Sequence, residues 1–137
     1  PADAEETTVA WQMALENTTT PSALILSRQN IKNLPGSNYE QALKAKKGAY
    51  IVEKDAETPD VVLLASGSEV ATLVAGAEKL RAEKGLKLQI VSVISEGVFR
   101  NQDKAYQNEV LPVDVPRFGM TAGLPVTLEG LVGANGT

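Results

Sequence analysis

The chain contains no cysteine and no histidine. Without cysteine there is no disulfide, no thiolate nucleophile, no cysteine-ligated zinc and no iron–sulfur cluster. Without histidine, a Ser-His-Asp triad, a histidine general base and a histidine metal site are impossible within these 137 residues. Basic residues are not in excess: 13 Lys and Arg stand against 17 Asp and Glu, a net charge of −4. That argues against nucleic-acid binding, which needs a basic surface. A small phosphorylated ligand needs only one or two local cations and stays possible. No apolar run approaches the roughly 18 residues of a membrane span, and no charged-then-apolar leader is present. The composition thus predicts neither nucleic acid nor membrane as a partner. The sequons Asn17-Thr18-Thr19 and Asn135-Gly136-Thr137 carry little meaning without a secretory route.

What is present suits a packed domain. The chain is 43% hydrophobic and 22% charged, near the soluble globular average, so it can bury a core. It starts at Pro1 without Met and stops at Thr137, and is expected to be a piece of something longer. Asp3 and Glu6 have capping-box spacing and open a helix. Val9, Ala10, Trp11, Met13, Ala14 and Leu15 give it a broad apolar face, with Trp11 and Met13 expected in a core. Ala23-Leu24-Ile25-Leu26 is a short, continuously apolar run and predicts a buried strand. Leu34 to Lys47 has few large apolar residues and reads as a linker and domain boundary, with a short helix around Tyr39–Leu43. Its Lys44, Lys46 and Lys47 read as solvated.

Beyond the linker the rhythm changes. Strands are predicted at Ala49–Val52, Val61–Ala65 and Leu88–Val93, and a weaker one at Arg117–Thr121. A helix is predicted from about Glu69 to Lys84, closed by Gly85, and others at Asp103–Leu111 and Val126–Val132. Asn135-Gly136 reads as a turn. Alternating strands and helices with short connections mean an α/β fold, a three-layer α/β/α arrangement around a mostly parallel sheet. A last helix normally leads to a closing strand and none is left, so the unit is expected to be unfinished at Thr137.

Few residues suggest chemistry. Ser66-Gly67-Ser68, between strand and helix, is a potential anion cradle, although it matches no Walker A or GxGxxG pattern; the alternative is a tight turn with Ser66 or Ser68 capping the helix. Arg28 follows the apolar run Ala23–Leu26. Ligands of open α/β sheets bind beyond the carboxyl ends of strands, and a guanidinium there suits phosphate or carboxylate. The alternative is an ion pair with a neighbouring acid. The acidic residues, among them Glu5, Glu6, Glu53, Asp55, Glu57 and Glu96, show no metal-loop spacing and read as solvated charge.

Ala23-Leu24-Ile25-Leu26-Ser27-Arg28-Gln29-Asn30 closely resembles a transketolase sequence. So do Pro1-Ala2-Asp3, Val9-Ala10-Trp11, Leu64-Ala65-Ser66-Gly67-Ser68-Glu69-Val70, Val91-Ser92-Val93 and Gln102-Asp103 through Tyr106 to Val110-Leu111-Pro112. Leu-Ser-Arg-Gln-Asn is the most specific element. Ile94 departs from a frequent proline. The resemblance implies that residues 1–32 end a pyrimidine-binding domain with a helix and a strand, that 33–48 form the linker, and that 49–137 form a C-terminal domain lacking its last strand and helix. It implies transfer of a two-carbon ketol unit from a ketose phosphate to an aldose phosphate in the pentose phosphate pathway. Thiamin diphosphate and a divalent cation, Mg or Ca, would serve as cofactors, in a cytoplasmic homodimer. Arg28 maps onto the family's substrate-phosphate arginine. The family's metal motif, cofactor-activating glutamate and catalytic histidines fall outside this stretch, so no catalytic, cofactor or metal residue is assigned here and the chain alone is expected to be inactive. A non-catalytic C-terminal module, as in 2-oxo acid dehydrogenase β subunits, and 1-deoxyxylulose-5-phosphate synthase are the alternatives.

Overall fold

In the computed structural model, which describes residues 1–134 and 136–137, four strands form one sheet. They are β1 (Ala49–Lys54), β2 (Val61–Ala65), β3 (Leu88–Val93) and β4 (Arg117–Met120), in the spatial order β1-β3-β2-β4. β2 runs parallel to both β3 and β4. β1 is antiparallel to β3, with a register shift between Ile51 and Glu53. The helices are α1 (Ala4–Glu16), α2 (Tyr39–Ala42), α3 (Glu69–Lys84), α4 (Glu96–Arg100), α5 (Lys104–Val110) and α6 (Val126–Val132), with a 3₁₀ turn at Leu43–Lys47. The turn expected at Asn135-Gly136 falls on Asn135, outside the described residues.

The two-residue period of the strands sorts side chains into two cores. Leu63, Ala65, Leu88 and Ile90 pack against Val70, Leu73, Val74 and Ala77 of α3. Val62, Leu64, Val91 and Val93 point the other way, onto Phe99, Val110, Leu111, Leu128 and Leu131. This gives the three layers. Tyr50 joins a third cluster with Val9, Ala42 and Ala45, which seats α1 and the 3₁₀ turn beside the sheet. Segment 33–48 therefore packs closely on α1. Its Lys46 pairs with Glu16, and Lys47 lies 3.9 Å over the Tyr106 ring.

Three expectations fail, each for a physical reason. Ala23–Leu26 is irregular and exposed except for half-buried Leu24, with Ile25 at 88%, because no strand of the described chain offers it a ladder partner. Trp11 is 52% exposed, because α1 buries only its Glu6–Val9–Ala10 side. Glu6 is fully buried rather than solvated. The sequence reading also missed α4, whose Ser95 side chain caps it by accepting from the Val98 N–H.

Two positive-φ glycines fix turns that position the core. Gly85 ends α3 in the left-handed conformation, its N–H bonded to the Arg81 carbonyl. Gly48, φ 87°, lets the chain pass so close to α4 that a Cβ there would collide with the Phe99 nitrogen.

Candidate functional site

The carboxyl ends of β2, β3 and β4 open onto a crevice of about 540 Å³. The connection from β2 returns to β3, whereas β3 connects across β2 to β4. Beyond β4, the Gly119 N–H donates to the Thr137 carbonyl (2.8 Å) and the Thr137 N–H to the Arg117 carbonyl (3.0 Å), so the chain continues on the far side. The order thus reverses between β2 and β4, the place where open α/β sheets hold ligands. Ser66-Gly67-Ser68 and Thr121-Ala122-Gly123 form its two lips.

The Ser66–Ser68 turn is a strand-to-helix turn, but no serine side chain caps α3. Ser68 itself has helical dihedrals, and its hydroxyl donates to Glu69 (3.1 Å). Glu69 and Glu96 line the crevice and no lysine or arginine does. An anion at this turn would meet backbone N–H groups but also two carboxylates.

One wall of the crevice is the segment Ala23–Ser27, which leads into Arg28. Of the four arginines, three are engaged internally. Arg81 bridges Glu53 (2.9 Å) and Asp55 (2.8 Å). Arg100 holds Glu96 at 2.6 Å. Arg117 donates to the carbonyls of Leu131, Leu111 and Pro112, and burial lowers its pKa. Arg28 is exposed and has no ion-pair or hydrogen-bond partner among the described residues. Its guanidinium is available to an external carboxylate or phosphate.

The base of this segment is built from buried polar groups that spacing alone did not single out. Asp3 is buried. One carboxylate oxygen caps α1 through the Glu6 N–H (2.9 Å) and the other accepts from the Leu34 N–H (3.2 Å). Asn33 accepts from the Ala4 N–H at 3.3 Å. The Glu6 carboxylate accepts from the Ala2 N–H (2.5 Å) and from the Ser92 hydroxyl (2.6 Å). Burial, and then the Glu6 carboxylate beside it, push the pKa of the Tyr50 phenol up. The capping-box spacing of Asp3 and Glu6 was the available signal, and it pointed only to a helix start.

A family model described as the transketolase-like C-terminal domain matches residues 48–137. A transketolase of Vibrio vulnificus is 42% identical over 137 residues, covering 99% of this chain and 20% of its own length. A solved transketolase from Leishmania mexicana superposes with a TM-score of 0.85 at 37% identity, over 96% of this chain and 19% of that one. A Pichia stipitis transketolase solved with sedoheptulose 7-phosphate gives 0.74 at 38% identity, over 87% of this chain and 17% of that one. The chain spans about a fifth of the length of the relatives it matches.

Proposed function

The chain belongs to the transketolase-like C-terminal domain family, and on that footing we propose that the protein carrying it moves a two-carbon ketol unit from a ketose phosphate to an aldose phosphate, with Arg28 as an anchor for substrate phosphate. The observation that carries this reading is the contrast among the arginines. Three are tied into the fold and Arg28 alone has no internal partner among the described residues. It follows a segment that walls the crevice at the carboxyl edge of the sheet. The Pichia relative solved with a sugar phosphate supports the substrate class.

In such a reaction the phosphate is remote from the bond that changes. Its charge-assisted contact with Arg28 would orient the sugar, so that binding energy serves positioning at the reacting carbon. Thiamin diphosphate with Mg or Ca would supply the carbanion chemistry. Among the described residues no group of three His, Cys, Asp or Glu side chains gathers that could hold a metal. In this reading residues elsewhere in the full-length protein hold the cofactor and its cation. A homodimer in the cytoplasm belongs to the same reading. Trp11 and Leu15, one helical turn apart and exposed on α1, support a partner surface there.

The test is steady-state ketol transfer by the full-length protein and its Arg28→Ala variant. The KM for a phosphorylated acceptor rises at least about 10-fold in the variant, and that for an unphosphorylated acceptor stays unchanged. An unchanged KM for the phosphorylated acceptor sinks the assignment.

A further inference from the structure

We infer that Asp3 is a positioning residue for the phosphate anchor: it fastens the returning end of the segment that carries Arg28. The inference rests on the reading of Arg28 given above. Between Glu16, the last residue of α1, and Leu34 the chain forms no helix and no strand. Its outward leg is gathered by Asn17, whose amide donates to the hydroxyls of Thr20 (2.9 Å) and Ser22 (3.0 Å). Around Arg28 the hydrogen bonding is local, with the Gln29 N–H donating to the Ser27 hydroxyl (3.0 Å). The next fixed points are Asn33 and Leu34, and both are held by the start of α1. Leu34 is buried in the α3-side core together with Ala2.

Asp3 divides its two oxygens between two tasks. Oδ1 satisfies an orphan N–H of α1, as any good N-cap does. Oδ2 reaches a backbone N–H 31 residues away. A carboxylate suits this double duty because it only accepts and has two oxygens; an asparagine has one acceptor oxygen and would turn an NH₂ toward the other donor. Glu6 then ties the same helix start to Ser92 on β3. The rigid sheet is thereby linked through α1 to the base of the Arg28 segment. A shift of this base would move Arg28 without altering its chemistry, and a displaced guanidinium makes a poorer charge-assisted contact with the phosphate, which weakens binding.

Three full-length variants separate the possibilities: Asp3→Asn, Asn33→Ala and Arg28→Ala. Each is assayed with ribose 5-phosphate and with unphosphorylated glycolaldehyde as acceptor. Asp3→Asn keeps the cap on α1 and loses the acceptor for Leu34. The KM for ribose 5-phosphate rises about 3- to 10-fold in Asp3→Asn, with kcat and the glycolaldehyde KM unchanged. Asn33→Ala moves the same way by less. Hydrogen exchange in residues 17–34 accelerates in both. If Arg28→Ala raises the ribose 5-phosphate KM and Asp3→Asn does not, the inference falls while the Arg28 assignment stands. If Asp3→Asn degrades both acceptors equally, Asp3 is merely structural and the inference also falls. If Arg28→Ala changes nothing, both fall. Should Asp3→Asn not fold, the Asn33→Ala measurement decides.

Discussion

The Ser92 hydroxyl donates to the Glu6 carboxylate at 2.6 Å across the junction of α1 with β3, and both residues are fully buried. A carboxylate removed from water stays tolerable only when its oxygens are satisfied. Here Ser92 serves one oxygen and the Ala2 N–H the other.

Glu6→Ala therefore leaves two buried donors without a partner. The expected cost is about 3 kcal/mol of stability. Glu6→Gln retains one acceptor and costs less than half of that. Denaturant midpoints of the three forms check the order, and equal midpoints for wild type and Glu6→Ala would refute it.

A second prediction concerns the clamp between α3 and β1. The Arg81 guanidinium, aided by the Leu88 N–H, holds the Asp55 carboxyl below its ordinary pKa, while burial opposes this more weakly. A depressed carboxyl contributes stability that is fully present above its unfolded pKa of about 4. That contribution is lost as the pH falls through the lower folded value. Arg81→Ala should lose no more than about 1 kcal/mol at neutral pH, since the pair is partly exposed. Its stability should also fall less steeply between about pH 5 and 2. Unfolding curves across that range are the check, and an acid limb as steep as that of wild type would count against the clamp.

On the alkaline side Tyr106 provides the opposite sign. Burial first, and the Glu109 charge second, push its phenol up to about 12. The phenol donates to the Ala49 carbonyl at 2.9 Å. A raised phenol favours the folded state fully below its unfolded pKa of about 10, and that contribution disappears as the pH rises through the folded value. Tyr106→Phe should be less stable at neutral pH and show a flatter decline above about pH 10. An unaltered decline in the variant would assign the alkaline loss elsewhere.

Gly48→Ala tests the tight passage beside α4. The new Cβ would collide with the Phe99 nitrogen and meet the Ser95 carbonyl oxygen at 2.5 Å, both backbone atoms that cannot swing away. A loss of more than about 2 kcal/mol is expected. Gly76→Ala, where nothing lies within 4 Å, serves as the control and should be neutral or slightly stabilising.

Much of the fold was legible in local pattern. The run Val61–Ala65 is apolar on both faces, and Leu88–Val93 nearly so apart from Gln89 and Ser92, because both faces are covered, and that is how buried parallel strands read. Asp3 and Gly85 marked helix ends through capping chemistry, and the helices end there. Ala23–Leu26 carried the same apolar signal as the true strands and was read the same way. A strand needs a neighbour, however, and composition does not say whether one is present. Trp11 illustrates a related blindness. An apolar face extending around most of a helix does not reveal which part of it the rest of the chain covers. Arg28 was singled out by its place in Leu-Ser-Arg-Gln-Asn. Its lack of an internal partner could be seen only in three dimensions. The pairings of Asp3 with Leu34 and Glu6 with Ser92 join residues 31 and 86 positions apart, and no periodicity encodes such contacts.

The most direct measurement is calorimetric titration of the full-length protein and its Arg28→Ala variant with sedoheptulose 7-phosphate. If Arg28 anchors the phosphate, the variant binds at least about 30-fold more weakly, the loss of one charge-assisted, two-pronged contact. Equal affinity of the two proteins would contradict the assignment of Arg28 as the phosphate anchor.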